Sequence, residues 1–209
     1  IQSMNVPLHD LATIVLEDGD LDRAGELFEE ALAIAKEHGN TTDVVFHLSG
    51  LGHVARRRGD HEASRALYEE SHQMAASLGY TRMAAFTLQY MAGLAFTSGD
   101  LSRAASIYRE ALAYFGPAHD ELGIVRCLEG LAMVAALTGR FEKTSRLAGS
   151  AETLRQAMHS PMPPSEVDDY EWALRRSRSG LGEDLFEWAR SEGRRTELED
   201  AVRYALDET

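Results

Sequence analysis

The sequence predicts an all-α fold: a right-handed α-solenoid of about four helix pairs, closed by C-terminal capping helices. Three observations predict it. Gly19, Gly59, Gly99 and Gly139 recur at a constant spacing of forty residues, and a fixed period in that range marks stacked repeat units. Apolar residues on both sides of each glycine return at i, i+3, i+4 and i+7, the period of one helix face. No stretch alternates like a strand, and Pro7, Pro117, Pro161, Pro163 and Pro164 stay near proposed helix ends or in one linker.

The elements follow in order. Leu8, Leu11, Ala12 and Val15 form the apolar face of a first helix, and the columns repeat: Leu48, Leu51, Gly52 and Ala55; Leu88, Met91, Ala92 and Ala95; Leu128, Leu131, Ala132 and Ala135. Downstream of the glycine, Leu21, Ala24, Leu27, Phe28, Ala31, Leu32 and Ala35 form the face of a second helix. The glycine supplies the left-handed backbone that ends the first helix, and Asp20, Asp60 or Asp100 caps the next. Arg140 stands at that position in the fourth copy, so its cap is expected to be weaker. The small residues let helices approach closely, and Phe28, Tyr68 and Tyr108 fill the gaps, with Ala148 in the fourth copy. The expected array covers residues 4–158, in units of about 4–38, 41–78, 81–116 and 120–158, with a helical cap over 159–209.

In the cap, residues 165–179 form one expected helix, anchored by Val167, Tyr170, Trp172 and Leu174. "LGEDLFEWARSEG" forms a second that ends at Gly193. "TELEDAVRYALDET" forms a third, opened by a capping box of Thr196 and Glu199, with Leu198, Ala201, Val202 and Ala205 on one face. Together they cover the apolar end of the fourth repeat, as terminal helices of solenoids do.

Composition narrows the function. With 34 acidic against 21 basic residues, the net charge is −13, a field that repels nucleic acid phosphates and argues against direct nucleic-acid binding. Cys127 is the single cysteine; it excludes an internal disulfide, suits a reducing cytoplasm and reads as a small packed side chain. No apolar run approaches a membrane span and no signal peptide is visible, so a cytoplasmic protein without membrane contact is expected. Lys36 and Lys143 are the only lysines, an arginine bias that reads as a bacterial coding habit. The opening "IQSM" is unlike a natural start, so the chain is expected to be a fragment with tag remnants before Met4.

Leu8, Leu11-Ala12, Gly19-Asp20, Ala24, Phe28 and Ala31 resemble the tetratricopeptide repeat family, as do Leu88, Met91-Ala92, Gly99-Asp100, Ala104, Tyr108 and Ala111. Copies two and four depart from it at Ser64, Ser71, Thr144 and Ala148. The period exceeds the family's usual length of about 34 residues and resembles its long-repeat branch. A second resemblance runs through "AGSAE", Leu154-Arg155, "PMPPSE", Tyr170, "LGED", Phe186, "EGR" and "LEDAV". These look like the C-terminal repeat region of bacterial signal-transducing NTPases and LuxR-like regulators. No Gly-Lys-Ser/Thr phosphate loop and no helix-turn-helix stands in these residues, so the resemblance implies that NTPase and DNA-binding functions belong to other segments. It implies a non-enzymatic interaction or sensor domain that needs no cofactor, with a free-standing scaffold or chaperone-like adaptor as the alternative.

In tetratricopeptide arrays the first helices line a concave groove that takes a protein or peptide. Carried over by helix spacing, the groove positions are Val6, His9 and Thr13; Phe46, Ser49, His53, Arg56 and Arg57; Phe86, Gln89, Gly93 and Phe96; and Arg126, Glu129 and Met133. Arg56, Arg57 and Arg126 are the expected holders of a carboxylate or phosphate, and Phe46, Phe86 and Phe96 of an apolar part. The competing reading makes Arg56 to Arg58 a solvated helix end favoured by the helix dipole, with Phe46 and Phe86 packed between units. Relatives that clamp peptide backbone with asparagine differ here, because Asp10, Gly50, Tyr90 and Gly130 hold those positions; this favours a partner-specific surface. The histidines give no metal site: His47 and His53 do not share a helix face, and His9 with His53 makes only two ligands. No nucleophile–base arrangement emerges, so no catalytic residue is assigned. The leading face of the first unit is expected to pack on an upstream domain, such as an NTPase of the same chain, or on a second copy in a homodimer.

Overall fold

A computed structural model describes residues 5–207; Met4, the expected start of the array, and the Val6 side chain lie outside the described residues. Eleven helices follow one another among these residues, with no strand: α1 (Asn5–Glu17), α2 (Leu21–Glu37), α3 (Thr41–Arg57), α4 (His61–Ser77), α5 (Thr81–Thr97), α6 (Leu101–Phe115), α7 (Glu121–Leu137), α8 (Phe141–Met158), α9 (Pro164–Leu181), α10 (Glu183–Arg195) and α11 (Leu198–Leu206).

The forty-residue period is a doubled twenty-residue one. Gly19, Gly39, Gly59, Gly79, Gly99 and Gly139 all have positive φ, and His119 and His159 take the same left-handed conformation at the remaining two turns. The turn geometry is a Schellman motif: the Asn40 N–H donates to the Ala35 carbonyl at 2.9 Å, and the Gly39 N–H to the Lys36 carbonyl at 3.2 Å. Glycine suits this site because a Cβ penalises left-handed backbone. The following residue then caps the next helix. Asp20, Asn40, Asp60, Asp100 and Asp120 each accept a hydrogen bond from the N–H three residues on. Arg140 and Tyr80 make no such side-chain bond. The weak cap expected at Arg140 is observed, and Tyr80 adds a second.

The chain divides into two compact units, one ending at Ser98 and the other starting at Gly99. In the first, α1 to α5 form successive antiparallel pairs, and the first helices lie beside one another, α1 by α3 and α3 by α5. A core of Ala12, Leu16, Ala24, Leu27, Phe28 and Val54 joins the first pair to α3. Aromatics seat on glycine: the ring of Phe28 lies where a Cβ of Gly50 would stand, and the ring of Tyr68 where one of Gly52 would. The shift from 50 to 52 has a local cause. Tyr90 occupies the position equivalent to Gly50, so Tyr68 leans on its own pair instead, with the two tyrosine rings 5.8 Å apart.

In the second unit, α6 packs on α7 and α7 on α8, with Tyr108 seated on Gly130 and Phe115 on Gly123. The three tail helices pack back onto these three: α9 on α7 and α8, α10 on α8, and α11 on α6, α7 and α8. At the α8–α10 contact Gly149 and Gly193 bring the two backbones together. Ser150 Oγ donates to the Gly193 carbonyl at 3.0 Å, and Glu152 pairs with Arg190 and Arg194 at 3.2 and 2.9 Å. "AGSAE" is thus a run of small residues that a crossing helix requires.

Two expectations about the tail are corrected. Thr196 does not open a capping box: its hydroxyl donates to the Glu192 carbonyl at 2.8 Å, ending α10, and Glu197 precedes α11 without a side-chain cap bond. Trp172 is not an anchor. It is 46% exposed, and Ala173 and Ser177 are the fully buried residues of α9, because only small side chains fit where that helix lies close to its neighbours.

Candidate functional site

Helix spacing places the expected groove residues on α1, α3, α5 and α7, but burial divides them. Residues three and four apart share a helix face, so one column turns toward the second helix of its pair and another away from it. Ser49, Gln89 and Glu129, forty residues apart, are all buried. Ser49 Oγ sits 2.8 Å from Ser71 Oγ and donates to the Val45 carbonyl, so it belongs to the α3–α4 interior. Glu129 accepts two hydrogen bonds from Arg155, at 2.9 and 2.8 Å, with both side chains nearly buried. Arg155 also donates to the Ser160 carbonyl at 3.3 Å, so the pair ties the linker after α8 to α7. Burial still holds the Glu129 carboxyl above its ordinary range, Arg155 opposing. Gln89 keeps a buried side-chain oxygen without a hydrogen-bond partner among the described residues.

The arginine run is likewise divided. Arg57 donates to the Leu16 carbonyl, and Arg58 donates to the Leu21 carbonyl at 3.1 Å and pairs with Asp22 at 2.7 Å. Both guanidiniums bind the end of α3 to the preceding pair. Arg56 is half-buried beside the Tyr68 hydroxyl, which burial pushes above its ordinary pKa while the Arg56 charge opposes. Arg126 and Met133 lie half-buried on α7 of the second unit, and the Arg126 Nε is buried without a partner among the described residues.

What remains on the first helices of the first unit is a row of rings. His9 lies 5.6 Å from Phe28, 5.8 Å from Phe46 and 5.4 Å from His47, centroid to centroid. His53 lies 4.3 Å from Tyr90 and 5.7 Å from Tyr68. Phe86 carries the Arg82 guanidinium 5.3 Å over its ring. Phe46 is exposed, while His9, His53, Phe86, Tyr90 and Phe96 are half-buried. Such edge-to-face arrays leave ring faces open to an apolar or cationic partner and ring edges to an anionic one.

The two histidines of the row are coupled. His9 Nδ1 and His47 Nδ1 are 3.4 Å apart, one donating and the other accepting. Burial lowers the His47 pKa to about 4, the neighbouring His9 lowering it further and Asp43 opposing. His9 is lowered for the same first reason, with Asp10 and Asp43 opposing. Both rings are therefore neutral near pH 7, and His47 Nε2 is buried without a hydrogen-bond partner among the described residues. His47, Tyr90, Arg82 and Arg155 carry no marker in the forty-residue pattern, because each departs from the residues at its equivalent positions.

Cys127 is fully buried and its thiol is pushed up by burial, so it packs as a small apolar group. No three metal-ligating side chains converge among the described residues. No helix among them is long and apolar enough to cross a membrane.

The tetratricopeptide repeat family matches residues 43–116, from the first turn of α3 to the end of α6. Among solved structures, the chain is similar to BtubC (BKLC) from P. vanneervenii, 20% identical, with a TM-score of 0.67 over 97% of this chain and 80% of that one. At that identity the likeness is one of fold. No curated protein matches the chain.

Proposed function

We propose that the chain is a non-enzymatic interaction or sensor module of a larger cytoplasmic bacterial signalling or transcriptional regulator. It takes a protein, peptide or small anionic ligand on the wall formed by α1, α3 and α5. Tetratricopeptide repeats in general mediate protein–protein interaction, and the match over residues 43–116 supports that role here. The observation that carries the reading is the ring row itself: His9, Phe46, His53, Tyr90 and Phe86 line adjacent first helices with Phe46 exposed. Aromatic anchors beside a cation are the side chains that dominate recognition surfaces. Of the arginines, Arg56 is the one this reading keeps on the wall, since Arg57 and Arg58 bind neighbouring carbonyls. A bound partner biases the regulator by binding one arrangement of the module better than another.

The test is a screen of acidic and aromatic peptides by thermal shift, with each hit re-measured on Phe46→Ala, Arg56→Ala and Arg57→Ala. Loss of about tenfold affinity or more in the first two, and little change in the third, is the expected result. Hits that bind all three variants equally place recognition elsewhere. The gene upstream of Met4 tests the regulator context: an encoded phosphate loop supports it.

A further inference from the structure

The apolar columns of the first helices have one member out of place. Val54, Leu94 and Val134 are 2%, 4% and 1% exposed, whereas Ile14, forty residues before Val54, is 59% exposed. Leu11 is 45% exposed, while its equivalent Leu51 packs partly buried against the core of the preceding pair. Val54 shows what buries this column: it clusters with Ala24, Leu27 and Phe28 of α2, the second helix of the preceding pair. On α1 the same face has the same chemistry and no such helix among the described residues.

The polar edge of that interface also repeats. Arg58, just after α3, meets the first turn of α2 through the Leu21 carbonyl and Asp22. Ser98, just after α5, meets the first turn of α4, 3.1 Å from His61 Nδ1. The equivalent residue after α1 is Asp18, an exposed carboxylate, where Arg58 carries a positive charge. A second helix docked on α1 therefore sets its first turn beside Asp18.

We propose that the Leu11–Ile14 face of α1 is a docking surface for one amphipathic helix, with a small–x–x–Leu–aromatic ridge like that of α2 and a basic residue in its first turn. The ridge fills the socket that Ala24, Leu27 and Phe28 fill around Val54, and the basic residue pairs with Asp18 as Asp22 pairs with Arg58. A second copy of the chain is a poor occupant. Its α2 is already packed, and its α1 carries Asp10 and Glu17, followed by Asp18, with no Lys or Arg, so like charges would meet. This surface lies on a different side of α1 from the ring row and is independent of what that row binds.

The test uses two fluorescent peptides of residues 20–38, stapled across the exposed positions 26 and 30 because an isolated helix of this length is marginal in water. One has the native sequence and the other carries Asp22→Arg. The Asp22→Arg peptide is expected to bind the chain about tenfold more tightly than the native one, the advantage shrinking with salt. Asp18→Arg in the protein should reverse the preference, and Ile14→Glu should abolish binding of both while leaving the thermal transition unchanged. If Ile14→Glu itself unfolds the chain, the reversal by Asp18→Arg decides. Equal binding of the two peptides, no binding of either, or preference unmoved by Asp18→Arg overturns the proposal. So does sedimentation that finds a dimer of the chain dispersed by Ile14→Glu, which assigns the face to a second copy.

Discussion

In the first unit Gly50 receives the edge of the Phe28 ring, whereas in the second Gly149 and Gly193 let α8 and α10 meet backbone to backbone. The missing side chain does different work in the two places. At Gly50 the neighbour that would object to a methyl group is a side chain, able to rotate at modest cost. At Gly149 and Gly193 it is the main chain of the facing helix, around the Arg190 and Arg146 carbonyls, and a helix backbone does not yield without moving the whole element. The repeats are joined by interlocking side chains and tolerate exchange, as Tyr68 shows by moving to Gly52 when Tyr90 takes the usual seat. The α8–α10 contact is joined by close backbone approach and tolerates none.

The largest effect tests that distinction directly. Gly193→Ala should cost about 3 kcal/mol in urea unfolding, at the upper end for overpacking, and trimming Arg146 to Ala should not restore it because the obstacle is a carbonyl. Gly50→Ala should cost less, about 1–2 kcal/mol, and Phe28→Leu in the same chain should recover part of the loss. Recovery in the first case, or none in the second, breaks the comparison.

Acid sharpens it, because the two units titrate in opposite senses. The His47 pKa is depressed from 6.5 to about 4, so folding favours the neutral ring. Its contribution is complete above pH 6.5 and is lost as the pH falls toward 4, where the unfolded chain takes a proton that the fold refuses. Glu129 is raised above 4.5 by burial, so folding favours its protonated form, a contribution present below 4.5 and lost as the pH rises through the folded value. Hydrogen exchange at pH 7 and pH 5 should show protection falling at α1 and α3 but not at α7 and α8. His47→Leu should reduce the decline to the share that His9 contributes, as it also removes the buried Nε2 that has no partner among the described residues. The smallest effect is local: Arg140→Asp should supply the cap that α8 lacks and stabilise the second unit by about 1 kcal/mol.

Much of the helical pattern was legible because it is periodic. Glycine and aspartate at the turns and Leu/Ala columns on the faces mark α1 to α8 through their physical requirements. The twenty-residue half-period was harder to read, since His119 and His159 replace glycine and Tyr80 and Arg140 replace the capping acid. The site was less legible than the fold. A helix has several faces, and spacing assigned Ser49, Gln89 and Glu129 to an open wall, whereas Ser71 and Arg155 on the facing helices draw Ser49 and Glu129 inward. Nothing in the repeat forecasts that Arg57 spends its charge on the Leu16 carbonyl.

By itself the sequence determined that the chain is helical, that its turns recur, that glycine and aspartate mark several of them, and that the chain is strongly acidic. Those properties are set by φ preferences, hydrogen-bond caps and hydrophobic period, all local to a few residues. Tertiary structure alone decided which polar side chains close on one another, which aromatic seats on which glycine, and which apolar face is left open at α1. These depend on residues of different helices, such as Ser49 with Ser71 and Glu129 with Arg155, meeting at contact distance, and close packing lets a single exchanged side chain, such as Tyr90, redirect its neighbours.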